Sequence, residues 1–470
     1  MNCKDHSIEI KNYGKNIFSR EIILISGCIK NKCEHEYIEL LQDDCVSQKA
    51  KIINRSFKFL LKLNKNQINV IKLKYCQIES VLHLEHISKD KVFYDVQPLY
   101  IIPKNHDGKF QSFNDTNNTI DDALMKIDLL TSLAQCVYSS KVYEEDENNS
   151  FVLNKCKVFR SSMNVEEVWQ YTQFELYDKI AQEIVDKYGT EIIEKRKFIA
   201  FISCTKFLGL YENDEYNYTN IRNKTKANPS LSCGFLALLG NGCFYTLPNN
   251  VNQVIDAFND KTIVDTRVLL DDSNYRKTYG GNFSTTLGSL VHEIGHLFDL
   301  GHTENGLMGN DIDHVHRFFL CQNFTEIMPK RNVSNCQQLI KSKEKNEYTN
   351  KFTKINRNGA FMDKYHEQKN KDLTFFEKNC QITLMNHRWF TQNILQDSLL
   401  FDENKNVVYS SEFIMLVEVR ELEKKNSLTK KFWDLSEKNI KEFKIDFDLS
   451  NSTLFVVTNN GSILKKNFHA

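Results

Sequence analysis

The stretch Ser284-Thr285-Thr286-Leu287-Gly288-Ser289-Leu290-Val291-His292-Glu293-Ile294-Gly295-His296-Leu297-Phe298-Asp299-Leu300-Gly301-His302 decides how the rest of the chain is read. Leu287, Leu290, Val291, Ile294, Leu297 and Phe298 recur at helical spacing and form one apolar stripe, with Ser and Thr residues at its start as N-cap candidates. His292 and His296, four apart, share the opposite side of that helix. Asp299 and Gly301 predict a turn beyond it, from which His302 can swing back toward the other two imidazoles.

Two imidazoles one helical turn apart and a third from the following bend suit a single tetrahedral zinc ion, leaving a fourth position for water. Glu293 lies next to a ligand on the helix, so its carboxylate can reach that water without occupying the metal. A carboxylate so placed takes a proton during attack on a carbonyl and returns it to the leaving amine. The expectation is a one-zinc peptidase centre with His292, His296 and His302 on the metal and Glu293 as general base.

The run from His292 to His302 resembles the metzincin zinc signature, and Met308, in Gly306-Leu307-Met308-Gly309, resembles the methionine that lies beneath the metal in that group. More narrowly, the chain is similar to a family of mostly intracellular zinc metallopeptidases of fungi and animals. That similarity rests on Val96-Gln97-Pro98-Leu99-Tyr100-Ile101-Ile102-Pro103, Asp121-Asp122-Ala123-Leu124, Gly240-Asn241-Gly242-Cys243-Phe244-Tyr245 and His302-Thr303-Glu304-Asn305-Gly306-Leu307-Met308, in that order. The resemblance implies an α/β (α+β) metzincin-like domain in which an early long helix backs a sheet. It also implies an upper edge strand, placed at Gly234 to Pro248, that pairs with a peptide substrate by β-augmentation. Asp299 departs from the pattern, because metzincins have Gly there, where the backbone is left-handed; Asp visits that region at about 1–2 kcal/mol.

A chain of 470 residues predicts two or three domains. The boundaries read as an N-terminal β-rich domain over 1–103, a catalytic domain over 104–340, a lysine-rich connector over 341–371 and a C-terminal β-sandwich over 372–470. Lys plus Arg and Asp plus Glu both total 61, so no net basic field points to nucleic acid. No run approaches the roughly 20 apolar residues of a membrane span, and the N-terminus carries no secretory signal. The 13 cysteines are scattered and odd in number, which places the chain in a reducing compartment, cytosolic or nuclear, as free thiols. Cys28, Cys33, His35 and Cys45 invite a structural-zinc reading, but their spacing fits no standard pattern.

Within the catalytic part, Asn118 or Thr119 caps a helix continued by Leu124, Ile127, Leu130 and Leu133. Strands follow at Cys156–Arg160 and Lys197–Ser203 with a helix at Tyr177–Tyr188 between them, then a short helix at Val254–Phe258. Asp311 and Asp313 are candidates to orient a ligand imidazole; His314 and His316 read as loop residues, and Glu304 as a rim residue. Beyond the connector, Gln381–Leu384, Glu412–Val419 and Ser452–Val457 read as strands. The leading expectation is a zinc metalloendopeptidase acting on protein or peptide substrates. The rivals are a zinc-binding pseudopeptidase serving as an adaptor and, behind it, a carbohydrate-binding C-terminal domain.

Overall fold

The computed structural model describes residues 6–11, 16–31, 33–42, 45–89, 92–142, 149–309, 311–321, 374–393, 398–422 and 427–469. The connector over 341–371 lies outside them. The chain is mixed α/β with several sheets, as the sequence predicts.

The sheet that positions the site runs Val152–Leu153, Asp95–Ile102, Arg196–Ile202, Leu236–Gly240, Ser230–Cys233, with Lys157–Arg160 also paired to Asp95–Ile102. All pairings are parallel except the last, where Ser230 faces Leu239 and Cys233 faces Leu236. Side chains on a strand alternate, and here both faces are covered. Tyr100, Ile102, Ile199, Phe201, Ala237 and Leu239 face one core, which also holds the helix Ile120–Val142 and the histidine helix. Leu99, Ile101, Phe198, Ala200, Ile202, Leu236 and Leu238 face a second core beneath the helix Gln173–Tyr188. Burial on both sides explains why these strands read as apolar runs rather than as alternating ones.

The edge strand differs from the expectation. Leu236–Gly240 is an inner strand, Phe244–Thr246 is a 3₁₀ turn, and the edge is Ser230–Cys233, which folds back through a two-residue turn with Gly234 at φ +56°. The apolar run drew attention to the buried neighbour, whereas the edge is too short and polar to stand out.

Ile120–Val142 starts at Thr119, whose hydroxyl accepts from the Asp122 amide at 3.2 Å while the Asp122 carboxylate accepts from the Thr119 amide at 3.0 Å. The histidine helix spans Tyr279–Leu297 and is capped by Thr278, whose hydroxyl accepts from the Gly281 amide at 3.1 Å. It therefore begins before the Ser and Thr residues that the sequence offered as caps. Nearly all of it is buried rather than one stripe, because the sheet, the Ile120–Val142 helix and the Ile312–His314 turn enclose it. Gly288 permits that last contact: a Cβ there would stand 1.8 Å from the Ile312 carbonyl oxygen.

Before the central sheet, Ser7–Ile10, Ile22–Lys30 and Ser56–Lys62 form one small sheet; Ile17–Phe18, Ile78–His86, Ile68–Tyr75, Tyr37–Gln42 and Cys45–Lys51 form another. Phe57, Phe59 and Leu61 of the first pack against Leu40, Ile71, Leu73 and Leu84 of the second. After residue 398, Leu399–Asp402, Val407–Ser410 and Glu442–Lys444 form a three-stranded sheet. Thr429–Asp434, Ile414–Glu421, Ser452–Thr458 and Ile463–Phe468 form a four-stranded one. Gln381–Leu384, expected as a strand, belongs to the helix Lys378–Asn386. Its short apolar run has no decisive period, and packing against Ile414–Glu421 selects the helix.

Tyr138 joins the two central helices: its buried hydroxyl donates to the Val291 carbonyl at 2.7 Å, one residue before the first histidine. Tyr138→Phe is expected to lower stability by about 1 kcal/mol, seen as a lower urea midpoint at unchanged slope. An unchanged midpoint would show that this bond contributes nothing.

Candidate active site

His292, His296 and His302 meet at one point. Their Nε2 atoms form a triangle with sides of 3.1 Å (His292–His296), 3.2 Å (His292–His302) and 3.2 Å (His296–His302). Nitrogens bound tetrahedrally to one zinc ion stand about 3.3 Å apart. The other ring nitrogens decide the tautomer. His292 Nδ1 lies 2.8 Å from the Leu307 carbonyl and His296 Nδ1 lies 2.9 Å from the Leu300 carbonyl. A carbonyl only accepts, so each Nδ1 carries the proton and each Nε2 presents a bare lone pair. Burial, and after it His302, lowers the His292 pKa to about 3; burial and the two other imidazoles hold His296 well below its usual value. Neutral rings with lone pairs converging at this distance fit a divalent cation.

The turn that delivers His302 is a Schellman motif. Leu300 N donates to the Gly295 carbonyl and Asp299 N to the His296 carbonyl, both at 3.0 Å, with Asp299 at φ +66°. The left-handed position expected at Asp299 is therefore present. Its carboxylate meets His387 Nε2 at 3.2 Å and the Lys465 ammonium. Burial opposes its ionisation, yet Lys465, Lys197 and the His387 hydrogen bond hold its pKa well below the usual carboxylate range. The Asp299 carbonyl accepts from Arg420 Nη1 at 2.8 Å, and Arg420 pairs with Glu418 at 2.7 Å. His302 itself is held by backbone: its amide donates to the Ser427 carbonyl at 3.1 Å and its carbonyl accepts from the Thr429 amide at 3.0 Å. Gly301 lets these partners approach, since a Cβ there would stand 2.8 Å from the Ser427 oxygen and 2.9 Å from Arg420. Residues from the C-terminal part of the chain thus brace His302, a contribution that nothing in the local sequence signals.

Glu293 is 2 % exposed. Ser230 on the edge strand donates to its Oε1 at 3.2 Å, while Oε2 has no hydrogen-bond partner. Burial raises its pKa to about 8, against a smaller lowering by Ser230. A buried carboxyl oxygen left unsatisfied marks a place for a polar guest.

Residues 7–357, about three quarters of the chain, match the family model Metallopep, described as "Putative peptidase family". The chain belongs to this metallopeptidase family. The chain is also 35% identical over 85 residues to a "Putative zinc metalloproteinase" of Saccharomyces cerevisiae. That match takes in 18% of this chain and only 12% of the yeast protein. Among solved structures, OgpA of Akkermansia muciniphila, a catalytically inactive form in complex with an O-glycopeptide substrate, overlaps with a TM-score of 0.42 at 11% identity, covering 81% of this chain and 93% of OgpA. A wild-type OgpA structure overlaps at 0.41 and 12% identity. Overlaps this loose transfer no residue and no substrate.

Met308 lies under the histidine helix: a Cβ on Gly295 would stand 2.2 Å from its Sδ, so the glycine between the two histidines makes room for it. Asp311 and Asp313 bond to the loop and to the start of the histidine helix. Asp311 accepts from the Gly306 amide at 2.7 Å and so closes the loop that contains Met308. Asp313 accepts from Thr285 Oγ1 at 2.7 Å and Asn274 Nδ2 at 3.0 Å, near the start of the histidine helix. The Nδ1 atoms of His292 and His296 go to main-chain carbonyls instead, partners that no side-chain motif can reveal. His316 Nδ1 lies 2.7 Å from Ser284 Oγ, so it packs near the start of the helix, away from the triangle. Glu304 is exposed, consistent with a rim position. Asn282, which forms a chance glycosylation sequon, is fully buried and donates to Tyr245 Oη and the Leu270 carbonyl.

Two outcomes test the brace. A glycine at position 299 relieves about 1–2 kcal/mol of backbone strain but leaves the buried Lys197 and His387 without their carboxylate, at roughly 3–5 kcal/mol. Asp299→Gly is therefore expected to lower the melting temperature and weaken metal retention, although it restores the metzincin residue; a raised melting temperature would refute the brace. The second outcome concerns His387, whose pKa burial lowers to about 4 even though Asp299 raises it. The unfolded chain then binds more protons between about pH 4 and 6.5, so stability rises with pH across that window, by on the order of 3 kcal/mol. His387→Gln should flatten the melting temperature between pH 4.5 and 6.5, and an unchanged slope would exclude this histidine as its source.

Proposed function

We propose that the chain is a zinc-dependent metalloendopeptidase of metzincin type, with one catalytic ion held by His292, His296 and His302. The observation that carries the proposal is the triangle of Nε2 atoms, with Glu293 following His292 on the same buried helix. Zinc in such a site supplies Lewis acidity, bringing a water to ionise near neutral pH and polarising the scissile carbonyl. The protein's own groups do the rest. A bound cation's charge would offset the burial that raises the Glu293 pKa and favour its carboxylate; Glu293 Oε2 then takes the proton of the attacking water, while Ser230 steadies Oε1, so one oxygen is free to hold the proton and hand it to the leaving amine. Ser230–Cys233 ends its sheet, and an extended peptide added there would lie beside Glu293. Action in the cytosol or nucleus belongs to the same proposal.

The adaptor reading rested on Asp299 as a departure that damages the site. A carboxylate seated in a regular Schellman turn and satisfied by His387 and Lys465 removes that support.

Glu293→Gln should keep one catalytic-site zinc by elemental analysis and lose peptide turnover by about 10²–10⁴-fold. His302→Ala should lose the zinc itself. A wild-type chain that binds zinc but cleaves nothing across a broad peptide library would overturn the peptidase in favour of the adaptor.

A further inference from the structure

A second cluster of metal-ligating side chains lies in the N-terminal sandwich, and it is not the one that the sequence spacing suggested. Cys28 Sγ donates to Glu9 and Cys45 is exposed, so neither joins it. The fold instead gathers His6, which precedes the strand Ser7–Ile10, Cys33, which follows Ile22–Lys30, and Cys76, in the turn between Ile68–Tyr75 and Ile78–His86. One ligand atom from each lies within 4.8 Å of the others. His35 adds a fourth donor at the surface, its Nδ1 3.4 Å from Cys33 Sγ.

His6 carries the argument. It is 6 % exposed, and neither ring nitrogen has a hydrogen-bond partner. A buried imidazole has one N–H to donate and one lone pair to fill, and leaving both unmet is disfavoured. A disulfide between Cys33 and Cys76 would leave that deficit in place. A cation held by His6 and two thiolates fills the lone pair of one ring nitrogen and leaves only the N–H to be met. Tyr75 organises the cluster: its hydroxyl accepts from the Cys33 amide at 3.2 Å, donates to the His35 carbonyl at 3.2 Å and lies 3.3 Å from Cys33 Sγ, while its ring meets the His6 and His35 rings edge-on. Cys76 sits at φ +55°, the left-handed value that a two-residue hairpin turn takes.

We propose that His6, Cys33 and Cys76, with His35 on the solvent side, bind a structural zinc ion distinct from the catalytic one. Two thiolates and two imidazoles are a matched donor set for zinc and leave no open position for chemistry. Tetrahedral zinc holds nitrogen and sulfur donors about 3.5 Å apart, within reach by side-chain rotation from the present spacing. The ion would staple the two sheets of the sandwich, because His6 and Cys33 flank strands of the three-stranded sheet and Cys76 joins strands of the other. The proposal does not depend on the peptidase reading.

The test is metal analysis of the full chain purified under reducing conditions and reconstituted with zinc, then with cobalt. The expected result is two zinc ions per wild-type chain, one in His302→Ala and one in Cys33→Ser/Cys76→Ser. The cobalt form should show a thiolate-to-metal charge-transfer band that survives His302→Ala and is absent from the double-serine variant. If that variant does not fold, the wild-type stoichiometry and band decide alone. One zinc per wild-type chain that His302→Ala removes, or two without a thiolate band, would overturn the second site. A thiolate band together with a single zinc that His302→Ala leaves in place would support it and sink the catalytic site instead.

Discussion

Three imidazole lone pairs aimed at one point repel one another unless a cation lies between them, and the fold holds them there in the neutral state. Burial disfavours protonation of His292 and His296, and the carbonyls of Leu307 and Leu300 take up the Nδ1 protons, so each ring keeps Nε2 bare. Two of the three nitrogens are set by the pitch of a single helix and need little further support. The third arrives through a turn, where a small change in backbone angle would move it out of range.

Much of the surrounding structure serves that turn. The Schellman bonds close the helix, Asp311 closes the loop that returns to Met308, and the C-terminal sheets hold His302 from the far side through Ser427 and Thr429. Glu418 and Arg420 form a fully buried ion pair whose guanidinium reaches the Asp299 carbonyl. Such pairs roughly break even against an apolar substitute, because desolvation offsets their attraction. Their effect here is geometric: a planar fork of donors fixes one arrangement of the turn. The same logic accounts for the aspartate at 299. It strains the backbone, but its charge faces the ammonium groups of buried Lys197 and exposed Lys465 and accepts a hydrogen bond from neutral His387.

The second cluster shows how chain topology makes a site out of residues with no shared spacing. Cys33 and His35 are near neighbours in sequence, whereas His6 and Cys76 come from opposite sides of a sandwich. Any motif search confined to a short window finds Cys28 and Cys45 first, and the fold sends both elsewhere.

The residues from His292 to His302 by themselves determined the helix, its terminating turn and which side chains are able to meet, because i, i+4 spacing and a left-handed cap are local properties. The apolar runs of the central strands were equally legible, since burial on both faces writes a continuous pattern. What only the tertiary structure decided were matters of long-range contact: that Ser230–Cys233 rather than the apolar strand beside it forms the edge, that Gln381–Leu384 packs as helix, and that Arg420, Ser427 and Thr429 hold Asp299 and His302 more than a hundred residues away. A short polar edge and an ambiguous apolar run carry no decisive periodicity, and a main-chain hydrogen bond across the fold leaves no mark on side-chain identity.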